Sequence, residues 1–240
     1  MSGVEVVTGS ESQRAARLLA AEVNAMELFA EVERRGLIAA GRRDREVSDA
    51  IRDLAHDMFG VRNYWHKRIV RSGPNTLQPY RGNPPDRVID ADDIVFADFG
   101  PIFDGWEADF GRTFVLGDDP VKHRLNADLA TIFAAGQTYF LDRPDITGDE
   151  LFTHMLGLIA DAGWELGITH TGHLLGEFPH ERIDGDKVTY YITAGSDQPL
   201  RRTDSTGRAC HWILELHLVD RERGFGGFYE QLLDLQHEPR

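Results

Sequence analysis

Residues 96–114 read FADFGPIFDGWEADFGRTF, and this stretch decides the fold. Its dipeptide Asp104-Gly105 predicts a two-residue hairpin turn, because both central residues of the favoured turn need positive φ, which Asp and Gly tolerate. Such a turn pairs Asp98 with Gly111 across two adjacent antiparallel strands. The stretch therefore predicts a β-hairpin with a defined register.

Two aspartates, Asp98 and Asp109, lie on either side of this turn. Because residues two apart share one face of a strand, the predicted register places both carboxylates on the same face, with Cβ atoms within roughly 8 Å. Two carboxylates this close repel each other unless a cation or a proton lies between them. The hairpin alone also allows the simpler interpretation of two surface acids near a turn.

Further acids and histidines lie in apolar or glycine-rich segments downstream. His170, His173 and His180 belong to ITHTGHLLGEFPHE, whereas Glu215 and Glu230 lie inside the strand-like runs HWILELHLVD and GFGGFYEQLLDL. A carboxylate inside an apolar strand is rarely left unpaired, since burying a lone charge costs several kcal/mol. Carboxylates with one imidazole suit Mn, Fe, Co or Zn, and five such ligands indicate two ions roughly 3.5–4 Å apart.

Five of these residues resemble, in their order, the metal ligands of the pita-bread metallopeptidases, the relatives of aminopeptidase P, prolidase, methionine aminopeptidase and creatinase: Asp98, Asp109, His173, Glu215 and Glu230. The eleven-residue step between the aspartates, followed by Arg112-Thr113-Phe114, matches that family's signature. The seven-residue step from His173 to His180 matches it as well. The resemblance extends from about residue 12 to residue 235.

The resemblance implies an α+β pita-bread (creatinase/aminopeptidase) fold, in which two pseudo-symmetric halves of helices pack on a curved antiparallel sheet. It implies a dinuclear metal-dependent hydrolase similar to Xaa-Pro aminopeptidases, which cleaves an amide or peptide bond with a metal-bridging water. Two divalent ions (Mn, Co, Fe or Zn) are expected as cofactors, bridged by Asp109 and Glu230. Glu215 is expected to act as a ligand and as the base, and His180 to hydrogen-bond the carbonyl or the tetrahedral intermediate.

The sequence departs from the family pattern around the substrate rather than among the ligands. Tyr80 lies where the family has a histidine, Phe228 where it has an arginine, and Gly111 where Thr or Ser precedes the signature arginine. These departures favour discrimination against ordinary Xaa-Pro peptides. They keep open an alternative, a pita-bread metalloenzyme acting on a small non-peptide substrate, and more remotely a binding protein without catalysis.

Three residues are predicted to contact the substrate: Tyr80, His170 and His217. His217 shares a strand face with Glu215, so it is a candidate ligand or substrate contact, but a hydrogen-bonded histidine behind the ligands fits equally well. His170 fits a loop position without a role about as well as a pocket position. Trp65 and His66 alternate along a predicted strand, so at most one of them faces the site, and Trp65 is expected in the core.

Hydrophobic periodicity predicts the remaining elements. Helices are expected at 12–35, capped by Ser10 or Ser12, and at 45–59, 121–141 and 149–162. Strands are expected around 64–71, in the hairpin over 93–115, and at 188–193, 211–219 and 227–235. The repeated order of a helix pair followed by strands agrees with two related halves.

Composition is typical of one sizeable globular domain, and we expect residues 1–240 to form a single pita-bread domain without the N-terminal domain of creatinase-type relatives. The 240 residues are 41% hydrophobic and carry a net charge of −14, which disfavours nucleic acid and anionic membranes as partners. One cysteine, Cys210, allows no disulfide framework, so a cytoplasmic location is expected. The expected partner is a small peptide or small-molecule amide, and a homodimer stays open.

Overall fold

A computed structural model describes residues 10–178 and 188–235. Its helices are α1 (Glu11–Arg34), α2 (Asp44–Phe59), α3 (Pro120–Leu141) and α4 (Gly148–Asp161), with short 3₁₀ helices at Gly73–Leu77 and Val188–Tyr190. Its strands are β1 (Ile69–Ser72), β2 (Ile94–Phe99), β3 (Ile102–Phe103), β4 (Trp106–Glu107), β5 (Phe110–Val115), β6 (Glu165–Leu166), β7 (Gly172–Leu175), β8 (His211–Asp220) and β9 (Phe225–Leu232). None of the helices in these ranges combines the length and apolar composition that a bilayer span demands.

All four predicted helices are present, and each begins close to the residue that the sequence indicates. The Ser10 hydroxyl caps α1 by accepting a hydrogen bond from the Gln13 amide, and the Gln13 side-chain oxygen accepts one from the Ser10 amide. Asp119 caps α3, where Pro120 follows as the first helical residue. Such caps satisfy backbone amides that have no partner inside the helix, which explains the sharp starts.

The hairpin adopts the predicted register. Asp104 and Gly105 have φ angles of 50° and 86°, and the strands on either side pair Asp98 with Gly111. The larger sheet has the order β1-β2-β5-β9-β8-β6, and β7 also pairs with β8. Neighbouring strands of this sheet are antiparallel throughout the described residues, as the pita-bread fold predicts.

Alternating residues of the sheet face the helices. Val95, Ala97 and Phe99 of β2 pack in one core cluster with residues of α1 and α2. Leu214, Leu216 and Leu218 of β8 pack in a second cluster with residues of α3 and α4. Because side chains alternate along a strand, the intervening residues of β2 and β8, including Asp98 and Glu215, project from the opposite face. The two helix pairs thus cover one face and leave the other for the polar residues.

Three details of the sheet differ from the prediction. The predicted strand at 188–193 is wrong: Val188–Tyr190 is a 3₁₀ helix, and Tyr191 contributes only an isolated bridge to His173 among the described residues. The strand expected over 64–71 is confined to Ile69–Ser72. The short strand β7, which carries His173, was not predicted. β-branched and aromatic residues favour strands only where a partner strand is available, and that partner is set by the tertiary structure.

Candidate metal centre

One row of paired residues crosses the sheet and carries three of the predicted ligands. Gly111 of β5 pairs with Asp98 on one side and with Glu230 on the other, and Glu230 pairs with Glu215 of β8. Asp109 lies two residues before Gly111, at the start of the same strand face. The four carboxylates are therefore brought together by strand register, and all four residues are buried.

The predicted histidine completes this cluster. His173 Nε2 lies 3.2 Å from Asp109 Oδ2 and 3.6 Å from Glu230 Oε1. Asp98 Oδ1 and Glu215 Oε1 are buried and accept no hydrogen bond from the described residues. Buried carboxylate oxygens without donors are costly unless a cation compensates them. The donor set of carboxylates and imidazole therefore fits the divalent ions that the sequence predicts.

A further histidine, which the sequence did not assign to the site, lies among the ligands. His66 Nε2 is 3.0 Å from Asp109 Oδ1 and 3.5 Å from Asp98 Oδ1. Its neighbour Trp65 turns aside and donates a hydrogen bond from Nε1 to the Ala108 carbonyl. Alternation along the chain allowed at most one of this pair to face the site, and the expected core position of Trp65 agrees with its packing against Leu175 and Ile213.

The carboxyl pKa values show that the cluster holds more negative charge than its two histidines compensate. Burial, together with the neighbouring carboxylates, raises the pKa of Asp98 to about 7, and burial and Asp109 raise that of Glu230 well above its ordinary value. Burial alone would raise the pKa of Asp109, but contacts with His66 and His173 lower it below its ordinary value. The site thus retains protons at positions where metal ions would otherwise supply positive charge.

The signature residues Arg112 and Thr113 hold β9 against β5. Thr113 Oγ1 donates to the Phe228 carbonyl at 2.8 Å and accepts from the Phe228 amide at 2.7 Å. Arg112 Nη1 donates to the Glu230 carbonyl at 3.0 Å, and its guanidinium lies between the rings of Phe110 and Tyr229. These contacts keep Glu230 in register with Asp98, so the signature acts by positioning the ligands.

Two of the departures from the family pattern, Gly111 and Phe228, are in contact. A Cβ atom added at Gly111 would lie 2.5 Å from Phe228 Cδ1 and 3.2 Å from Glu230 Cβ. The Phe228 ring therefore occupies the space that a side chain at residue 111 would need. Phe228 also packs with Ile69 and Phe96, so the wall beside the ligands is apolar here.

Two of the predicted substrate contacts lie next to the ligands. The Tyr80 ring centroid is 6.0 Å from that of His66, and Tyr80 is 47% exposed. Arg71 holds the backbone of the Tyr80 segment by donating to the carbonyls of Gln78 and Gly82. His170 Nδ1 lies 2.9 Å from Glu215 Oε1, and its ring stacks on Tyr191. Both side chains therefore border the site.

The third predicted substrate contact, His217, is placed differently. His217 is 2% exposed, and its Nε2 lies 2.7 Å from the Thr76 carbonyl. Its Nδ1 lies against Gly167, where an added Cβ would approach within 2.6 Å. Burial lowers the pKa of His217 to about 4. This placement favours the hydrogen-bonded histidine over the substrate contact. His180 lies outside the described residues, so its expected role stays a prediction.

Comparison with known proteins supports the family relationship. The profile of metallopeptidase family M24 matches residues 12–204, so the chain belongs to that family. An Xaa-Pro dipeptidase from Lactobacillus helveticus is 29% identical over 151 residues, which are 60% of this chain and 39% of that protein. The chain spans less than half the length of the curated Xaa-Pro dipeptidases that it matches.

Solved structures with the same fold include a dipeptidase from Pyrococcus horikoshii OT3 and a methionine aminopeptidase from Rickettsia prowazekii. The first has a TM-score of 0.71 at 22% identity, covering 91% of this chain and 56% of the other. The second has a TM-score of 0.69 at 17% identity, covering 92% of both chains. The fold is therefore the predicted α+β pita-bread fold.

Proposed function

We propose that this protein is a hydrolase that uses two divalent metal ions to cleave an amide or peptide bond in a small substrate. The observation that carries the proposal is the row Asp98, Gly111, Glu230 and Glu215, which places three carboxylates beside Asp109 and His173. Asp98 Oδ1 and Glu215 Oε1 are buried without an aligned hydrogen bond from the described residues, although His66 and His170 lie nearby, and a bound cation would compensate both oxygens. Membership of family M24 supports the same conclusion.

Five residues would hold the ions: Asp98, Asp109, His173, Glu215 and Glu230. When bound, the ions supply Lewis acidity that polarises a substrate carbonyl and lowers the pKa of water. Asp109 and Glu230 would be the ligands shared by both ions, as the resemblance to the family implies, and the two oxygens of Asp109 face His66 and His173. Mn, Co, Fe and Zn all suit this donor set.

The proton transfer is assigned to Glu215. Its Oε1 has no aligned hydrogen bond from the described residues, although His170 Nδ1 lies close to it, so this oxygen would be able to take a proton from the attacking water. The water oxygen adds to the carbonyl carbon, the C–N bond breaks, and Glu215 returns the proton to the leaving nitrogen. His170, 2.9 Å from the same oxygen, would orient Glu215, and His180 would hydrogen-bond the carbonyl.

The substrate is proposed to differ from that of ordinary Xaa-Pro dipeptidases. Phe228 lies where the family has an arginine, so the wall beside Glu230 carries no cation at this position. Its ring packs with Phe96 and Ile69. Tyr80 offers a neutral phenol where relatives use a histidine that becomes cationic near neutral pH. Both changes weaken recognition of an anionic substrate end. They favour a second candidate function, hydrolysis of a small non-peptide amide or related C–N bond.

The test combines metal analysis with a substrate panel. Purified protein should contain two divalent ions per chain by elemental mass spectrometry, and removing them by chelation should abolish hydrolysis. The panel contains Xaa-Pro dipeptides, longer peptides and small amides. We expect kcat/KM for Gly-Pro and Ala-Pro below the ordinary enzyme range of about 10⁴ M⁻¹s⁻¹. Values at or above that range would support an ordinary dipeptidase, and metal-loaded protein that is inactive on the whole panel would contradict the hydrolase.

A further inference from the structure

We propose that His66 is a sixth protein ligand of the metal centre, so that each of the two ions is bound by one imidazole. The inference rests on the proposed two-ion function and adds a residue outside the five-ligand set. His66 would serve the ion held by Asp98 and Asp109, while His173 serves the ion held by Glu215 and Glu230. Asp109 would lie between them, with one oxygen directed to each side.

The two histidines make the same hydrogen bond behind the site. His66 Nδ1 lies 2.8 Å from the carbonyl of Lys67, and His173 Nδ1 lies 2.8 Å from the carbonyl of Leu174. A carbonyl can only accept, so each Nδ1 carries a hydrogen and the lone pair of the neutral ring is on Nε2. Metal-binding histidines typically donate their second N–H to a backbone carbonyl or a carboxylate. His66 is therefore oriented in the same way as the predicted ligand His173.

The distances around His66 are those between ligands of one ion. Bonds of about 2.1 Å at angles of 90–109° place neighbouring ligand atoms about 3.0–3.4 Å apart. His66 Nε2 lies 3.0 Å from Asp109 Oδ1 and 3.5 Å from Asp98 Oδ1. The corresponding distances at His173 are 3.2 Å to Asp109 and 3.6 Å to Glu230. The three ligand atoms around each histidine can therefore bind one ion without large rearrangement.

The fold makes dedicated space for the His66 ring. A Cβ atom at Gly100 would lie 2.1 Å from His66 Cδ2 and 2.4 Å from Trp65 Nε1, so only glycine fits there. Trp65 packs edge-on against the ring at 4.6 Å between centroids, and the His66 side chain is 7% exposed. Because His66 Nε2 faces the carboxylates of Asp109 and Asp98, either a proton or a metal ion must lie between the ring and these oxygens.

The test measures metal binding rather than catalysis. Metal-free full-length protein is titrated with Co²⁺ by calorimetry, and the visible absorption of bound Co²⁺ reports the ligands of each ion. The unaltered chain should bind two ions. His66→Ala should weaken Co²⁺ binding at one of the two sites at least tenfold and change the absorption of the Co²⁺ bound there. The Co²⁺ affinity of the other site should change by less than about threefold. His123→Ala, which replaces an exposed histidine bonded to the Gly117 carbonyl, should bind both ions normally.

The outcomes separate this inference from the proposed function. Two ions bound with unchanged affinities and spectra by His66→Ala would overturn the assignment and leave His66 as a packing or substrate contact. Fewer than two ions bound by the unaltered chain would contradict the two-ion function, and the assignment with it. Circular dichroism checks that His66→Ala is folded. If it is not, His66→Gln, which keeps a polar side chain in the pocket, is tested in its place with the same expected outcomes.

Discussion

A buried glutamate behind β9 provides the sharpest test of the electrostatics around the site. Glu22 of α1 is 5% exposed, and its Oε1 accepts a hydrogen bond from the Leu232 amide at 3.3 Å. Its Oε2 has no hydrogen-bond partner among the described residues. Burial raises the pKa of Glu22 from 4.5 to about 8. The folded protein therefore keeps a proton that the unfolded chain has already released at neutral pH.

The sign and size of the effect follow from this difference. Unfolding releases a proton between pH 4.5 and about pH 8, so the free energy of unfolding falls as pH rises through this window and levels off above it. Each pKa unit is worth about 1.4 kcal/mol, so ionisation costs on the order of 5 kcal/mol above pH 8 and about 3 kcal/mol at pH 7. Glu22→Gln removes this cost, because the amide cannot ionise.

The assay is urea unfolding followed by tryptophan fluorescence at several values between about pH 5 and pH 9, with a chelator present throughout. The gain in free energy of unfolding of Glu22→Gln over the parent should grow with pH and reach a plateau above pH 8. Neutral glutamic acid places one O–H donor at the buried Oε2 position and glutamine places two N–H donors there. The cost of burying these donors differs between the two side chains, but it does not depend on pH. Taking the difference between variant and parent also cancels the titration of the metal ligands.

The matched control is Glu27→Gln, the same substitution on an exposed face of the same helix. It should change the free energy of unfolding by less than about 0.5 kcal/mol at every pH. A difference between Glu22→Gln and the parent that stays constant from about pH 5 to pH 9 would refute the reasoning. It would mean that Glu22 ionises in the folded protein without a penalty.

Three further predictions test the site itself. Asp109→Asn should abolish two-ion binding and destabilise the metal-free protein, because His66 and His173 lose their shared partner; unchanged metal content by mass spectrometry would contradict it. Gly111→Ala should lower the free energy of unfolding by about 1–3 kcal/mol, and adding Phe228→Leu should recover part of this loss, whereas purely additive effects in urea unfolding would exclude the contact. Tyr80→His should raise kcat/KM for Ala-Pro about tenfold, the worth of one hydrogen bond, and an unchanged value would show that Tyr80 does not limit this substrate.

Local signals were sufficient for much of the fold. The Asp104-Gly105 turn determines the pairing of Asp98 with Gly111, because two strands joined by a two-residue loop have only one register. Helix periodicity and caps likewise act within one element. The strand β7 and the 3₁₀ helix Val188–Tyr190 could not be predicted in this way, because their hydrogen bonds depend on distant segments. His173 on β7, for example, pairs with Ile213 of β8.

The site was predictable as far as ligand chemistry and family spacing extend. The structure brings Asp98, Asp109, His173 and Glu230 together with Glu215, but their binding of metal stays a prediction. His66 was missed because its orientation depends on Gly100, far away in sequence, and on the turn of Trp65 toward Ala108. The cytoplasmic location, the single-domain organisation and the homodimer also stay predictions.

Two of the departures from the family pattern, Gly111 and Phe228, form one local group, and the third, Tyr80, lies beside His66. Gly111 and Phe228 belong together, because the ring fills the space that a side chain at residue 111 would require. Tyr80 and His66 belong together in a similar way, since their rings are neighbours at the edge of the site. Residue 80 is a tyrosine where the family has a histidine, but the imidazole of His66, in the segment before β1, contacts the carboxylates of Asp98 and Asp109. His66 Nε2 lies against Asp98 and Asp109, whereas the Tyr80 side chain is half-exposed at the edge of the site. The departures thus leave the five predicted ligands intact and change the side chains that a substrate would meet, which is the combination expected of an M24 hydrolase with the altered substrate that we propose.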